Sequence, residues 1–233
     1  MIGGGGGALF VVVLAMLFHL PERVAAATSL VVVIPTTIFG AVGHFRGGHV
    51  DVPRGLPLLV AGPVGAVLGS VAILPVNAAL APRLLCAFLL LLGVQMAFAL
   101  FRQKRRTVAP HRERALGIFY GMLGGITSGA FGISGSPPIV AGLAALGLDP
   151  VRVVGTSVFA LTGIAVAGGI THAFAGDVRY DLALALAVGS AVGAYVGARL
   201  LARFNGPRLH AVLRPTLVGL VALAGLLELL KLR

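Results

Sequence analysis

A chain of 233 residues in which 58% of side chains are hydrophobic and 11% charged, with a mean hydropathy of +1.03, has too few charges to coat a soluble globule, where about 25% is ordinary. Its net charge of +11 does not describe a nucleic-acid binder, because the basic residues gather where apolar runs end, above all at Arg102, Lys104, Arg105, Arg106, Arg112 and Arg114, and form no stripe on a soluble fold. The single Cys86, inside an apolar run, excludes a disulfide framework and a cysteine-based metal site.

In chain order, Gly3 to Gly7 leads into a first apolar run at 8–20. That run has the length of a signal-peptide core, but no basic residue precedes it and the residues after it recur later in the chain, so it reads as part of the fold. Further apolar runs follow at 24–44, 53–76 and 82–101; the last approaches the roughly 20 residues that carry a helix across about 30 Å of hydrocarbon. The basic stretch 102–114 then reads as a cytoplasmic loop under the positive-inside rule. Beyond it lie runs at 115–131, 136–148, 152–174, 180–203 and 209–231. The runs 8–20 and 136–148 reach only about 20 Å at 1.5 Å per residue, which predicts short or re-entrant helices. The 34 glycines and 13 prolines suit membrane helices, whose neighbours satisfy freed carbonyls and whose backbones approach over small residues.

Sliding the sequence against itself until Thr28-Ser29 falls on Thr156-Ser157 also brings His44 onto His172 without a gap. The same register pairs Gly4 with Gly132, Gly7 with Gly135, Gly40 with Gly168, Gly48 with Gly176, Gly65 with Gly193, Gly69 with Gly197 and Asn77 with Asn205; a three-residue slip then pairs Pro82-Arg83-Leu84 with Pro207-Arg208-Leu209. The expected architecture is an all-α polytopic transmembrane bundle of two internal repeats that include short or broken helices: residues 1–101, which lack a counterpart of 115–131, the basic loop 102–114, and residues 115–233. Charge points to inversion of the second repeat. The loop at 46–54 falls inside with 102–114, whereas 175–181 holds Asp177 and Asp181 against Arg179, and Arg199, Arg203 and Arg208 surround Asn205. Lys231 and Arg233 at the far end run against that pattern. Matching short segments in duplicated halves are the sequence pointer to a transport site.

A helix that begins inside the membrane presents unbonded backbone N–H groups and the positive end of its dipole, and glycine lets that backbone approach an anion. On this reading Gly4, Gly5, Gly6 and Gly7 form one anion-binding turn and Gly132, Ser134, Gly135 and Ser136 the other; the competing reading is close packing of small residues. Thr28, Ser29, Thr156 and Ser157 offer hydroxyl donors, or else cap carbonyls one turn back. Pro35-Thr36-Thr37 and Thr162-Gly163 are hinge candidates. His44 and His172 are the titratable pair that could couple proton movement to anion movement, the alternative being helix-end histidines bonded to backbone or water. No acid lies within 24–44 or 152–174, so a carboxylate relay is not expected. Arg214 beside Pro215 reads as a snorkelling side chain, Glu228 and Lys231 as a pair on one helix face, and Glu22, Asp51, Asp149, Asp177 and Asp181 as solvated helix ends.

The Gly-rich stretch before a short helix, Ala27-Thr28-Ser29-Leu30, His44-Phe45-Arg46-Gly47-Gly48 with Val50-Asp51, and Gly65-Ala66 with Gly69 resemble the sulfite exporter TauE/SafE family, also called TSUP. In the second half, Gly132-Ile133-Ser134-Gly135-Ser136-Pro137 and Gly155-Thr156-Ser157 carry the same likeness. The resemblance implies secondary transport of small anions, sulfite or organic sulfur anions such as sulfonates, across the cytoplasmic (inner) membrane. Two departures stand out: the first repeat shows no counterpart of its first helix, which implies either a naturally shortened protein or a recorded start downstream of the true one, and Ser134 and Ser136 stand where the family tends to have more glycine. No G-x-S-x-G, H-E-x-x-H or phosphate-binding G-K-[ST] is present, so neither an enzyme nor an ATP-driven pump is expected. The expected partners are a small anionic substrate, the bilayer and a coupling ion, H⁺ or Na⁺, without cofactor, metal or nucleic acid; a homo-oligomer is compatible. The alternatives are a carrier of a carboxylate or metal ion, and a non-transporting scaffold in which the Gly and Thr-Ser positions only pack.

Overall fold

The computed structural model describes residues 6–73, 87, 110–132 and 134–203; among them there are helices and turns and no strand. Among the described residues seven helices follow in order: α1 Gly7–Met16, α2 Glu22–Arg46, α3 Val52–Ile73, α4 Pro110–Phe131, α5 Ser136–Ala145, α6 Pro150–Phe174 and α7 Tyr180–Arg203. Four of the described helices, α2, α3, α6 and α7 up to Leu200, are long and apolar enough to cross a membrane. The expected segment 82–101 apart from residue 87, the segment 209–231, the stretch 102–109, Gly4, Gly5, Cys86, Arg214, Glu228 and Lys231 lie outside the described residues.

Local chemistry sets the ends. Asp149 caps α6 by accepting from the Val151 and Arg152 nitrogens at 3.2 and 3.1 Å, and Pro150 at the first helical position has no N–H to leave unbonded. α4 begins at Pro110, so Arg112 and Arg114 are helical, which corrects the loop expected to run to 114. A proline start and the ion pair from Glu113, one turn in, to Arg54 on α3 account for the earlier boundary. α2 continues through Pro35: the Thr36 and Thr37 hydroxyls bond back to the Val32 and Val33 carbonyls at 2.8 and 2.9 Å. Likewise α6 continues through Gly163, with Thr162 bonded to Val158. The expected hinges are therefore unbroken helix.

The bounds recur in the register read from the sequence. The offset that carries Thr28 onto Thr156 also carries both ends of α2, Glu22 and Arg46, onto both ends of α6, Pro150 and Phe174, and the start of α3, Val52, onto that of α7, Tyr180. The packing is reciprocal as well: α2 lies against α7, and its counterpart α6 against α3, while α2 and α6 meet each other. α1 packs on α2, and α5 fits between α4 and α6. A buried cluster of Leu58, Ile139, Leu143, Leu161 and Ile164 joins α3, α5 and α6. Val60 and Val64 on α3 and Leu184, Val188 and Val192 on α7 are exposed outward, whereas Thr28, Ser29, His44, Thr156, Ser157 and His172 are buried inside. A soluble protein would reverse that preference; a bilayer rewards it, because lipid accepts apolar side chains and gives polar groups no partner.

α3 and α4 run parallel along a seam of small residues. Gly117 meets Pro57, Gly121 meets Leu58 and Ala61, Gly125 meets Gly62 and Ala66, and Gly129 meets Ala66 and Ser70. A Cβ at Gly125 would stand 2.8 Å from the Ala66 nitrogen, so any side chain there would drive the backbones apart.

Candidate functional site

Two short helices start side by side. Gly6 caps α1 with φ 78°, and Gly135 caps α5 with φ 55°, both left-handed and without a side-chain cap. Ser134 at φ 58° and Gly132 at φ 69° complete the turn into α5. Left-handed backbone is inexpensive for glycine and costs a residue with a Cβ about 1 kcal/mol or more, so the strained Ser134 marks a turn held by its surroundings. The start of α1 presses on that turn: a Cβ on Gly7 would lie 2.8 Å from the Ser134 Cβ and 2.9 Å from its nitrogen. Ser29 of α2 closes the junction, its hydroxyl standing 3.0 Å from the Gly7 carbonyl and 3.1 Å from the Gly132 carbonyl, with one proton to donate between them.

Chemically, the junction offers two helix N-termini, free of side-chain caps, at a buried point with a hydroxyl between them. Backbone N–H groups and two positive dipole ends suit a small anion. Packing is close around it. Beyond the Gly7–Ser134 approach, a side chain on Gly132 would meet the Ala26 backbone of α2, and one on Gly135 the Gly124 backbone of α4. The two helix starts are thus in close contact with each other and with α2 and α4.

Of the residues singled out in the sequence, the structure brings Gly6, Gly7, Ser29, Gly132, Ser134, Gly135 and Ser136 to this junction. It gives Thr28 and Thr156 another task. The Thr28 hydroxyl oxygen accepts the Arg179 N–H at 3.1 Å, and the Thr156 oxygen accepts the Asp51 N–H at 2.9 Å. Each threonine thus ties down the turn that precedes a long helix, α7 for Thr28 and α3 for Thr156. Ser157 donates to the Val154 carbonyl within α6.

The histidines lie elsewhere. His44 is fifteen residues beyond Ser29 on α2, about 22 Å along the axis, and His172 is as far beyond Ser157 on α6. His172 Nε2 lies 2.8 Å from the Gly129 carbonyl of α4; a carbonyl only accepts, so Nε2 carries the proton. His44 is equally buried, yet neither ring nitrogen has a partner among the described residues. Its ring meets that of His49 edge-on, with centroids 6.2 Å apart. Sequence reasoning passed over His49, although the spacing in His44-Phe45-Arg46-Gly47-Gly48-His49 places it one turn after a helix end. It also passed over Ser128, a fully buried hydroxyl with no partner among the described residues, one turn ahead of Gly132. The Thr127-Ser128-Gly129 step before a glycine turn was the available signal.

The four aspartates are engaged at helix ends. Asp51, Asp149, Asp177 and Asp181, expected as simply solvated, each pair with an arginine: Arg54, Arg152, Arg23 and Arg179 respectively. No group of three or more His, Cys, Asp or Glu that could hold a metal ion occurs among the described residues.

Comparison with known proteins gives concordant results. A family model described as "Sulfite exporter TauE/SafE" matches residues 1–227. The probable membrane transporter protein YdhB of Bacillus subtilis (strain 168) is 32% identical over 218 residues, covering 92% of this chain and 87% of the relative. The probable membrane transporter protein YtnM of the same organism is 30% identical over 209 residues, covering 85% of this chain and 68% of the relative. No solved structure matches.

Proposed function

This chain belongs to the sulfite exporter TauE/SafE family and is a multi-pass membrane transporter, and from that premise we propose that it is a gradient-driven exporter of small sulfur oxyanions, sulfite or an organosulfonate, in the inner membrane. The observation that carries the reading is the junction of α1 and α5, where two glycine-capped helix N-termini converge beside Ser29. A sulfur oxyanion is compact and presents acceptor oxygens in several directions, which matches backbone N–H groups arriving from two helices. Hydrogen bonds to a charged group are worth about 1.5–3 kcal/mol each, so a few of them replace the hydration lost at that depth. A cation carrier would instead place carboxylates within its helices, and here Asp51, Asp149, Asp177 and Asp181, near helix ends, are each paired with an arginine.

In this reading the close approach of Gly7 to Ser134 is the closed state, and separation of the two helix starts admits the anion from one side at a time. A proton or Na⁺ accompanies it; His44 and His172, one at the far end of each long central helix, are the candidate proton-binding groups. The deciding experiment reconstitutes the protein in proteoliposomes and follows labelled sulfite, thiosulfate, a small sulfonate and a dicarboxylate under imposed proton and Na⁺ gradients. Saturable flux of sulfite or sulfonate, diminished in Ser29→Ala protein that inserts normally, is the expected result. Preferential movement of the dicarboxylate, or undiminished flux in the Ser29→Ala variant, would sink the assignment.

A further inference from the structure

Away from the junction, a groove of ≈ 800 Å³ opens between α3 and α4, lined by Leu56, Val60 and Val64 on one side and Ile118 and Met122 on the other, with Arg54, Glu113 and Arg114 at its end. Leu56, Val60, Val64 and Ile118 are each half or more exposed, so the groove faces outward, where the bilayer lies. From Arg54 to Val64 it follows α3 for about 15 Å at 1.5 Å per residue, close to half of a hydrocarbon core about 30 Å thick. The groove therefore has the depth of one leaflet, apolar along its length and charged at the membrane surface.

The charge at that end is positive. Arg54 is held by Glu113 at 3.0 Å and Asp51 at 3.3 Å, which occupies the Glu113 carboxylate. Arg114 is exposed and has no ion pair among the described residues, and Arg112, also exposed, stands two positions before it. Because α3 and α4 run parallel, both helices begin here, and the positive ends of both dipoles add to the arginines. A free anion would have no use for the apolar walls, and a neighbouring apolar helix would have no use for the cations. An anionic phospholipid uses both.

We propose that this groove binds one anionic phospholipid, its phosphate at Arg114 and an acyl chain along Val60, Val64 and Ile118. The site lies on the seam between the two halves, so a bound lipid braces the contact on which their relative position depends.

The test uses the whole protein, purified and delipidated in a mild detergent. It is given phosphatidylglycerol, phosphatidylcholine with the same acyl chains, or inorganic phosphate, and retained lipid is counted by native mass spectrometry alongside the thermal unfolding midpoint. Phosphatidylglycerol is expected to be retained several-fold more than phosphatidylcholine and to raise the midpoint further, with no effect of inorganic phosphate. Arg114→Gln should abolish the preference and Arg114→Lys should keep it. Equal retention of the two lipids, a preference that persists in Arg114→Gln, or a full effect from inorganic phosphate would each overturn the proposal. Should Arg114→Gln not fold, Val60→Trp, on the outward face, fills the groove: loss of retained phosphatidylglycerol supports the site, and unchanged retention refutes it.

Discussion

α3 and α7 occupy matching positions in the repeated register and carry the same small residues, yet they live in different surroundings. On α3, Gly65 and Gly69 lie under the backbone of α4 at Met122 and Ile126. On α7, Gly193 stands at the position of Gly65 and meets nothing within 4 Å among the described residues, and Val188 and Val192 on the same helix are exposed. The histidines repeat the contrast: His172 is bonded to the Gly129 carbonyl of α4, and His44 has no such partner among the described residues. α4 is the difference in both cases. Residue identity at a repeated position sets what a site can accept, and the neighbouring helix decides whether that capacity is used.

The sharpest way to break this comparison is to put the same side chain at both glycines. Gly65→Leu is expected to cost well over the roughly 1–3 kcal/mol of ordinary overpacking, because the obstruction is backbone rather than a movable side chain. It should yield little folded protein in detergent. Gly193→Leu should insert and unfold within a few degrees of the parent, since its side chain enters open space and leucine favours helix over glycine. Equal behaviour of the two variants in a thermal unfolding series would show that α7 is covered as closely as α3.

The histidine pair should separate by a smaller margin. His172→Leu removes the bond to the Gly129 carbonyl, at a cost of about 1–3 kcal/mol when a buried polar group loses its partner, softened because Ser70 also donates to that carbonyl at 3.3 Å. His44→Leu removes two buried, unpartnered nitrogens, and burying unpaired polar atoms is itself unfavourable. The expected result is destabilisation for His172→Leu and no loss, or a gain, for His44→Leu. A matching loss at both positions would mean that His44 has a partner equivalent to Gly129.

Ser29 and Ser157 contrast the junction with the rest of the buried hydroxyls. Ser29 spans the Gly7 and Gly132 carbonyls; Ser157 donates to the Val154 carbonyl of its own helix, among other contacts. Ser29→Ala is expected to raise the KM for the transported anion about tenfold, equivalent to about 1.4 kcal/mol, with Ser157→Ala changing it much less. Concentration-dependent uptake in proteoliposomes measures both, and a larger effect at Ser157 would move the binding point away from the α1–α5 junction.

Much of this was legible in the sequence because a bilayer simplifies the code. Long apolar runs could only be membrane helices, and glycine runs ahead of two short segments located the junction that Gly6 and Gly135 cap. Tertiary partners were not legible. The sequence shows Thr28 and Thr156 as hydroxyls near helix starts, and nothing local says that they accept from Arg179 and Asp51, each far away in the chain. Nor could composition tell His172, bonded to α4, from His44. The early start of α4 escaped because Arg112 and Arg114 look like loop residues until the Arg54–Glu113 pair gives that turn a neighbour.

The smallest expected effects belong to the two threonines, and they probe where the halves agree. The offset that relates Thr28 to Thr156 also relates Asp51 to Arg179, so each threonine receives the N–H of the counterpart residue in the other half. Thr28→Val and Thr156→Val keep the side-chain shape and remove the oxygen, leaving one partly buried backbone N–H without its acceptor. A hydrogen bond of this kind contributes about 1 kcal/mol net, and both turns retain other anchors: Asp51 accepts from the Arg54 N–H at 3.2 Å, and Arg179 pairs with Asp181 at 2.6 Å. Two equal losses of about 1 kcal/mol are therefore expected, with anion KM unchanged in both because each oxygen is bonded to a turn before α3 or α7. Unequal losses would show that the turns are held differently despite their matched bonds. A rise in KM with either valine would return that threonine to the binding site and make its tie to the turn a means of coupling turn position to anion occupancy.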